Sequence, residues 1–444
     1  MFKFFMAKPN RNEVMVKEYP SKGFIPYLYH LDENTIYTKK NQLLQVVKLG
    51  GFSFETADDE DVDIKKNIRN FLFKGMADPN INLYFHIIRR KQDVYAGSIN
   101  NVDMPDGFAS YLDQKWIQNH KNHKGFLNEL YITISYKVKK GINVSFIDDL
   151  FSKFSKKAVK NSENESMVEG FEQLQEATNR ILNSLRQYSP EILGIVERND
   201  QKYSETAKFF STIANCGNGS NVLLGYNELD HSINNQRMYF GKKAIEVKGI
   251  NGKSKFAGVV SLKEYSPKTW AGMMDGFLQM PFVISQSFQF INRQIAIAKM
   301  QLQQNRMIQA GDKAVSQIAG ILEALDMAMS GEIAFGTHHL TVMCIADSLK
   351  ELENSLSMAY VELTNTGGIG VRERINMEPA FWAQLPCNDD FIVRLSTINT
   401  LNLASLNSLH NYPTGKKENN YWGDAVTVMD TTCNGYYFWY TVLF

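Results

Sequence analysis

Residues 410–425, HNYPTGKKENNYWGDA, hold a Gly-Lys pair followed by a second basic residue. The chemistry this suggests is the grip of a nucleoside triphosphate. A phosphate loop reads G-x-x-x-x-G-K-[ST] between a strand and a helix. Its first glycine permits the tight turn, backbone amides cradle phosphate, and the hydroxyl binds magnesium. Gly415 and Lys416 supply the pair, but His410 stands where the first glycine belongs. Lys417 brings no hydroxyl, and Pro413 deletes an amide that the cradle needs. The following run, Glu418 to Gly423, reads as turn and not helix. A solvated turn is expected here.

Other clusters are weaker still. His338 and His339 are adjacent on an expected strand, so their side chains point to opposite faces and do not readily share a metal. One imidazole of the pair should point inward. Gly367-Gly368-Ile369-Gly370 lies after a helix and before a strand, the reverse of a dinucleotide fingerprint, and reads as a helix cap and turn. Between Lys153 and Lys160, lysines mix with aromatics, a pattern that can touch nucleic acid or anionic lipid. Asp148, Asp149, Glu163 and Glu165 flank it, which favours a solvated helix face. Met273, Met274, Met280, Met300, Met307, Met327 and Met329 are expected mainly as core filling, with a partner-binding helical hairpin as the alternative. Cys216, Cys344, Cys387 and Cys433 stand singly, without the C-x-x-C of a zinc knuckle or redox motif, and fit a reducing compartment. His410 and Cys433 have no spacing that argues for a catalytic pair. No residue is assigned a catalytic, cofactor-binding or metal-binding role.

The elements that position these residues belong to a chain of 444 residues, long enough for two or three packed units. It is 44 % hydrophobic, with 48 basic against 47 acidic residues, so no polyanionic partner is demanded. The opening MFKFFMAK is too short for a signal-peptide core, and WAGMMDGFLQMPFVIS at 270–285 is too short and too polar to span a bilayer.

A hairpin is expected from 35–38 and 43–49 around Lys39-Lys40-Asn41-Gln42. A helix from Asp61 should bury Ile64, Ile68, Phe71 and Leu72 and stop at Gly75. Alternation at Ile81, Leu83, Phe85 and Ile87, with polar Asn82 and His86, predicts a half-buried strand. A helix at 107–118 and a strand at 129–137 follow. The charged segment 138–163 reads as a connector with one short helix. A longer helix should bury Phe171, Leu174, Thr178, Ile181, Leu182 and Leu185 and end at Tyr188-Ser189-Pro190.

A strand is expected at 192–196, a helix at 203–214 and strands at 237–247 and 256–264. Ser266-Pro267 reads as a helix start. Two helices should fill 287–329, broken near Gly311-Asp312, the second with Val315, Ile318, Ile321, Leu322, Leu325 and Met329 on one face. A strand at 339–346 precedes a capping box, Ser348 to Glu351, and a helix burying Leu349, Leu352, Leu356, Tyr360 and Leu363. Gly367-Gly368 release it into a strand at 369–375. The order of elements implies α+β: two α/β sandwich lobes with mainly antiparallel sheets and a long helical hairpin.

Four stretches carry a likeness to a known family: FIPYLYHLDENTIYTKKNQLLQVVKLGGF at 24–52, FGTHHLTVMCIADSLKELE at 335–353, NMEPAFWAQLPCNDDF at 376–391, and SLHNYPTGKKENNYWGDAVTVMDTT at 408–432. Together they resemble the VirB/TrbE/CagE family of type IV secretion and conjugation ATPases, over residues 20–438. The resemblance implies an amino-terminal region that binds the inner-membrane channel machinery, followed by a RecA-like motor carrying the phosphate loop. All four stretches belong to the first part. The tail WYTVLF departs from the family's approach to the motor, and truncation by a frameshift, an early stop or an arbitrary cut is expected.

The domains implied are 1–190, a first lobe with its charged connector; 191–425, a second lobe with a helical insertion at about 287–330; and 426–444, the start of a motor that is missing. The function implied is a scaffold at the cytoplasmic face of the inner membrane, and not an ATPase in itself. It would bind inner-membrane channel subunits, sister ATPase chains, other secretion ATPases and the coupling protein. ATP and magnesium belong to the full-length family, with no cofactor and no direct nucleic acid expected for this chain. The alternatives are a regulatory paralogue that joins full-length motors, an independent enzyme using His338, His339 or His410, and a nucleic-acid module.

Overall fold

The computed structural model describes residues 19–93, 107–120, 124–138, 162–225, 227–249, 252–275, 280–309, 315–421, 423–431 and 433–439. The opening MFKFFMAK, the short helix expected within 138–163, the Lys153–Lys160 run, the break at Gly311-Asp312 and most of the tail WYTVLF lie outside them.

The chain begins with β1 (Tyr27–His30), β2 (Ile36–Thr38) and β3 (Gln42–Leu49), then α1 (Asp59–Gly75), β4 (Ile81–Asp93), α2 (Phe108–His120) and β5 (Lys124–Lys137). Next come α3 (Ser162–Ser184), β6 (Pro190–Ile192), β7 (Ile195–Arg198), β8 (Gln201–Ser204), α4 (Glu205–Ala214), β9 (Val222–Leu223) and α5 (Asp230–Ile233). Strands β10 (Arg237–Phe240), β11 (Ile245–Lys248), β12 (Ser254–Glu264) and β13 (Phe282–Phe290) lead to the helical pair α6 (Arg293–Gln309) and α7 (Val315–Ser330). The remainder is β14 (Phe335–Ala346), α8 (Leu349–Asn365), β15 (Ile369–Arg372), α9 (Met377–Trp382), β16 (Ser396–Asn399), α10 (Thr400–Leu406), β17 (Thr427–Asp430) and β18 (Tyr436–Trp439).

One antiparallel sheet of 13 strands organises these elements, in the order β1-β2-β3-β5-β4-β13-β14-β12-β11-β10, with β6 on β3, β16 on β14 and β15 on β12. Its middle is the β4–β13 ladder, in register from Phe282 opposite Arg89 to Gln289 opposite Asn82. The two expected lobes therefore share one sheet. The fold is α+β with antiparallel pairing, as the order of elements implies.

Side-chain alternation sends successive residues of each central strand to opposite faces, and both faces are covered. Leu83, Phe85, Ile284 and Val342 enter one core with Leu174 and Ile181 of α3, Leu352 and Leu356 of α8 and Leu403 of α10. Tyr84, Ile88, Val283 and Met343 enter the other with Phe209 and Phe210 of α4 and Phe381 and Trp382 of α9. This corrects the half-buried reading of β4. Asn82 and His86 are as buried as their apolar neighbours.

Other corrections have local causes. Residues 282–290 form β13 where a helix was expected from 287, because Phe282, Ile284 and Phe288 alternate with Val283, Ser285 and Ser287 between two strands. Residues 237–247 make a hairpin rather than one strand, closed where the Gly241 N–H donates to the Ala244 carbonyl at 3.0 Å. The strand expected at 192–196 is split between β6 and β7. Ser266-Pro267 starts no helix; the Ser266 hydroxyl accepts from the Lys268 N–H in a turn.

Helix α1 buries Arg69, Asn70, Leu72 and Phe73, while Ile64, Ile68 and Phe71 are 50 %, 38 % and 63 % exposed. In α8 the buried face is Leu352, Ser355, Leu356, Ala359 and Leu363, with Leu349 and Tyr360 outside. Its cap forms as expected on one side, the Glu351 N–H donating to the Ser348 hydroxyl. The carboxylate of Glu351 instead accepts from the Asp347 N–H.

Candidate functional site

The segment that raised the question of phosphate binding threads between the two halves of the chain. Phe52 and Asn411 exchange backbone bonds with Leu409 and Phe52, extending the end of β3 alongside residues 409–411. Gly51 makes this possible: at φ +88 a Cβ there would stand 2.4 Å from the Asn411 Cβ. Asn411 donates through Nδ2 to the Gly50 carbonyl at 2.9 Å. His410 is buried, stacked on Phe54 at 4.7 Å, with Nδ1 2.8 Å from Asp275 Oδ2. The Ser408 hydroxyl accepts from the Gly272 N–H at 2.6 Å.

The Gly-Lys pair itself follows in an irregular loop. At Gly415, φ is +67, and a Cβ would stand 2.4 Å from the Phe438 carbonyl oxygen. The Thr414 carbonyl accepts from the Phe438 N–H at 2.8 Å. The backbone at Gly415 thus lies against β18 rather than cupping open space. Lys416 and Lys417 are exposed, and residues 418–421 continue without a helix. In a phosphate loop, the glycine backbone and a following helix N-terminus must both face the anion; neither is present at 411–421.

The stretch 376–391 ties the same two halves on the opposite face. Trp382 stacks on Phe24 at 5.0 Å, nearly parallel. Asn388 Nδ2 donates to the carbonyls of Phe24 and Trp382 at 2.8 and 2.9 Å. The Tyr27 hydroxyl donates to the Pro386 carbonyl at 2.9 Å, and Tyr84 to Asp389 at 2.9 Å. His86 Nε2 donates to the Gln384 carbonyl at 2.8 Å. Burial pushes the Tyr27 and Tyr84 hydroxyls well above their ordinary range, so they act as neutral donors.

The adjacent histidines diverge as strand geometry requires, and both are buried. His338 Nε2 is 3.0 Å from Gln286 Oε1, and its Nδ1 is 2.6 Å from the Tyr265 hydroxyl. The assignment that satisfies all three groups has Nε2–H donating and Nδ1 accepting. His339 Nδ1 donates to the Arg394 carbonyl at 3.0 Å. Burial lowers His338 to about 3 and His339 to about 4, so both are neutral at pH 7. Asn407 Nδ2 also donates to Gln286 Oε1 at 3.0 Å, which gives a satisfied polar chain inside the sheet.

The remaining candidates are structural. Gly367, at φ +78, ends α8 and precedes β15, as the cap reading holds. Met273, Met274, Met280 and Met307 are buried, and Met300 of α6 and Met327 of α7 pack on the small core of Ala296, Ala328, Ile333 and Phe335, while Met329 is 62 % exposed. Cys216, Cys344 and Cys387 are buried; Cys433 is half-buried, with its Sγ 3.0 Å from the Thr431 hydroxyl. His410 and Cys433 thus have different partners.

Among the described residues, only Glu228, Asp230 and His231 gather potential metal ligands. The Lys39 ammonium lies 2.5 Å from Asp230 Oδ2 and already supplies a positive charge there. Two buried arginines escaped the sequence reading. Arg69 donates to the Tyr188 hydroxyl and the Ala404 carbonyl, and Arg89 to Asn128 and the Cys433 carbonyl. Nothing local in their surroundings signals burial.

These cross-ties join residues 24–52, 376–391 and 408–416 to one antiparallel sheet, and comparison with known proteins assigns the chain its class. The profile of the CagE, TrbE, VirB family, component of type IV transporter system, matches residues 191–394. That of the N-terminal domain of the type IV secretion system ATPase VirB4/TrbE matches residues 34–142. The chain belongs to this family.

It is 32 % identical over 428 residues to the type IV secretion system protein virB4 of Bartonella quintana (strain Toulouse), covering 96 % of this chain and 53 % of that protein. It is 28 % identical over 406 residues to protein virB4 of Rhizobium radiobacter, covering 91 % and 50 %, and 27 % identical over 420 residues to the type IV secretion system protein virB4 of Brucella suis biovar 1 (strain 1330), covering 92 % and 49 %. The chain spans about half the length of these relatives.

Proposed function

We propose that this chain is the docking and positioning region of a type IV secretion ATPase. It binds inner-membrane channel subunits and sister ATPase chains at the cytoplasmic face of the inner membrane. Contacts to other secretion ATPases and to the coupling protein belong to the same reading. ATP and magnesium are bound elsewhere in the full-length protein, whose hydrolysis energises assembly and substrate transfer.

The observation that supports this reading is how the family-like stretches are used. Residues 24–52, 376–391 and 408–416 bond to one another and to the central strands. The polar side chains within them serve internal cross-ties, and apolar surface remains outside: Ile64, Ile68 and Phe71 on α1, and Ile295, Leu302, Ile308, Leu322 and Met329 on the helical pair. Exposed apolar residues gathered on helices are suited to partner binding. Among the described residues, no helix is long and apolar enough to cross a membrane, which is in keeping with peripheral attachment.

Two measurements test the proposal. Purified chain should release no phosphate from Mg-ATP above background; release proportional to protein would refute that part. Ile64→Glu with Phe71→Glu, and Leu302→Glu with Ile308→Glu, should leave the melting temperature nearly unchanged and abolish co-purification with channel subunits and sister chains. Undiminished co-purification by both double variants would remove these helices from the docking surface.

A further inference from the structure

Strand β10 is the last strand of the large sheet and pairs with β11 alone. Among the described residues, no other segment bonds to its outer edge. The strand is firmly placed, because Met238 and Phe240 pack on the second core and Phe240 meets the rings of Phe381 and Trp382. Its other residues, Arg237 and Tyr239, face solvent.

The charge around this edge is one-sided. From 237 to 255 the basic residues are Arg237, Lys242, Lys243, Lys248, Lys253 and Lys255, and the only acid is Glu246. The whole chain carries a net charge of only +1. Arg237 stands opposite Lys248 in register, a like-charge pair that costs stability. Lys248 lies over the Tyr239 ring at 5.1 Å and reaches Glu246 at 4.0 Å, while Glu246 also accepts from Ser254. Lys255 bonds Asn218. Arg237, Lys242, Lys243 and Lys253 are exposed and close no ion pair with a carboxylate among the described residues, Lys243 acting on Glu353 only at longer range.

A lysine or two suffices to keep sheet edges from pairing with copies of themselves. Four exposed cations without a close carboxylate, one of them opposite Lys248 across the ladder, exceed that need. A second copy of this strand would bring the same unneutralised cations to the edge and no carboxylate to meet them. An acidic strand satisfies both features at once. Its backbone completes the open edge, and its carboxylates neutralise the cations.

We infer that the outer edge of β10 receives an acidic, extended segment of a partner protein as an added strand. This rests on the docking reading above for the existence of a protein partner, but names a different surface and the chemistry of its occupant.

The test uses the full chain and a fluorescent peptide alternating Glu and Val, with a Lys-Val peptide as control. Anisotropy should show binding of the acidic peptide alone. Its affinity should fall about tenfold or more in the Arg237→Glu, Lys242→Glu, Lys243→Glu variant, and fall with added salt. Hydrogen exchange at Arg237–Phe240 should slow in the complex.

Equal binding by the variant, or binding without slowed exchange at β10, overturns the inference. So does tighter binding of anionic vesicles or of single-stranded oligonucleotide than of the peptide. Loss of peptide binding in a chain that still co-purifies with channel subunits removes this inference alone. Peptide binding without such co-purification removes the α1 and helical-pair docking surface instead.

Discussion

His338, held between Tyr265 and Gln286, sets a pH dependence that carries no catalytic meaning. Burial holds it to about 3, and holds His339, His86 and His30 to about 4, against 6.5 in an unfolded chain. Between about 6.5 and about 4 the unfolded chain binds more protons, so stability falls as pH falls through that window and is fully present above it. Urea midpoints should drop steadily from about pH 7 to about pH 5, before carboxylates take over; a flat profile would contradict the buried neutral assignment.

The thiols give a second check at this scale. Burial pushes Cys216 and Cys344 up to about 12 and Cys387 higher still, whereas Cys433 is half-buried near the surface hairpin. A disulfide reagent should modify one thiol per folded chain, at Cys433, and all four only in denaturant. Modification of two or more in the folded state would refute this. What could be read at single residues was mostly exclusion. The missing hydroxyl at Lys417 and the opposed faces of His338 and His339 follow from residue type and spacing. The burial of Arg69 and Arg89 does not, because it depends on carbonyls far away in the chain: Ala404 for Arg69 and Cys433 for Arg89.

Elements were legible where their own periodicity decides the outcome and illegible where a neighbour does. The turn between β2 and β3, the cap of α8 and the helix end at Gly367 were readable because each is a local bond or a local φ. Helix α1 was misread because Ile64, Ile68 and Phe71 also form a stripe. The face actually covered is chosen by Asn70, which accepts from Thr400 at 2.6 Å and donates to the Glu332 carbonyl, together with Arg69.

The loop at 411–416 allows a sharp contrast. Gly415→Ala adds a Cβ at positive φ against the Phe438 carbonyl and should cost about 1–3 kcal/mol. Lys416→Ala, on an exposed side chain, should stay within about 0.5 kcal/mol. Urea unfolding of the two variants decides it. A phosphate-gripping role would instead make Lys416→Ala the variant that loses nucleotide affinity.

At the scale of the whole molecule, the pairing of β4 with β13 matters most, and it is what sequence reading reaches least. The charged stretch 138–163 marks a break in composition that invites a division into lobes, whereas strand pairing between Asn82 and Gln289 leaves no local trace. Both strands are buried on both faces and flanked on both edges, β4 by β5 and β13, β13 by β4 and β14. Separating the halves near residue 190 would expose two long apolar edges and break the ties from Trp382 to Phe24 and from Asn411 to Gly50.

A shared sheet of this kind predicts one cooperative unit, despite a length that suggests several. Calorimetry of the chain should show a single transition with equal calorimetric and van't Hoff enthalpies. Fragments 19–190 and 191–439 expressed alone should aggregate, and co-expressed should associate into a soluble pair. Two resolved transitions, or a fragment 19–190 that is soluble with native-like near-ultraviolet ellipticity, would show that the shared sheet does not couple the halves. Trp382→Ala, at a ring buried between them, should lower the stability of the whole chain by about 3–5 kcal/mol in that same single transition. If instead it shifted only part of the unfolding curve, the coupling would be confined to one side of the β4–β13 ladder.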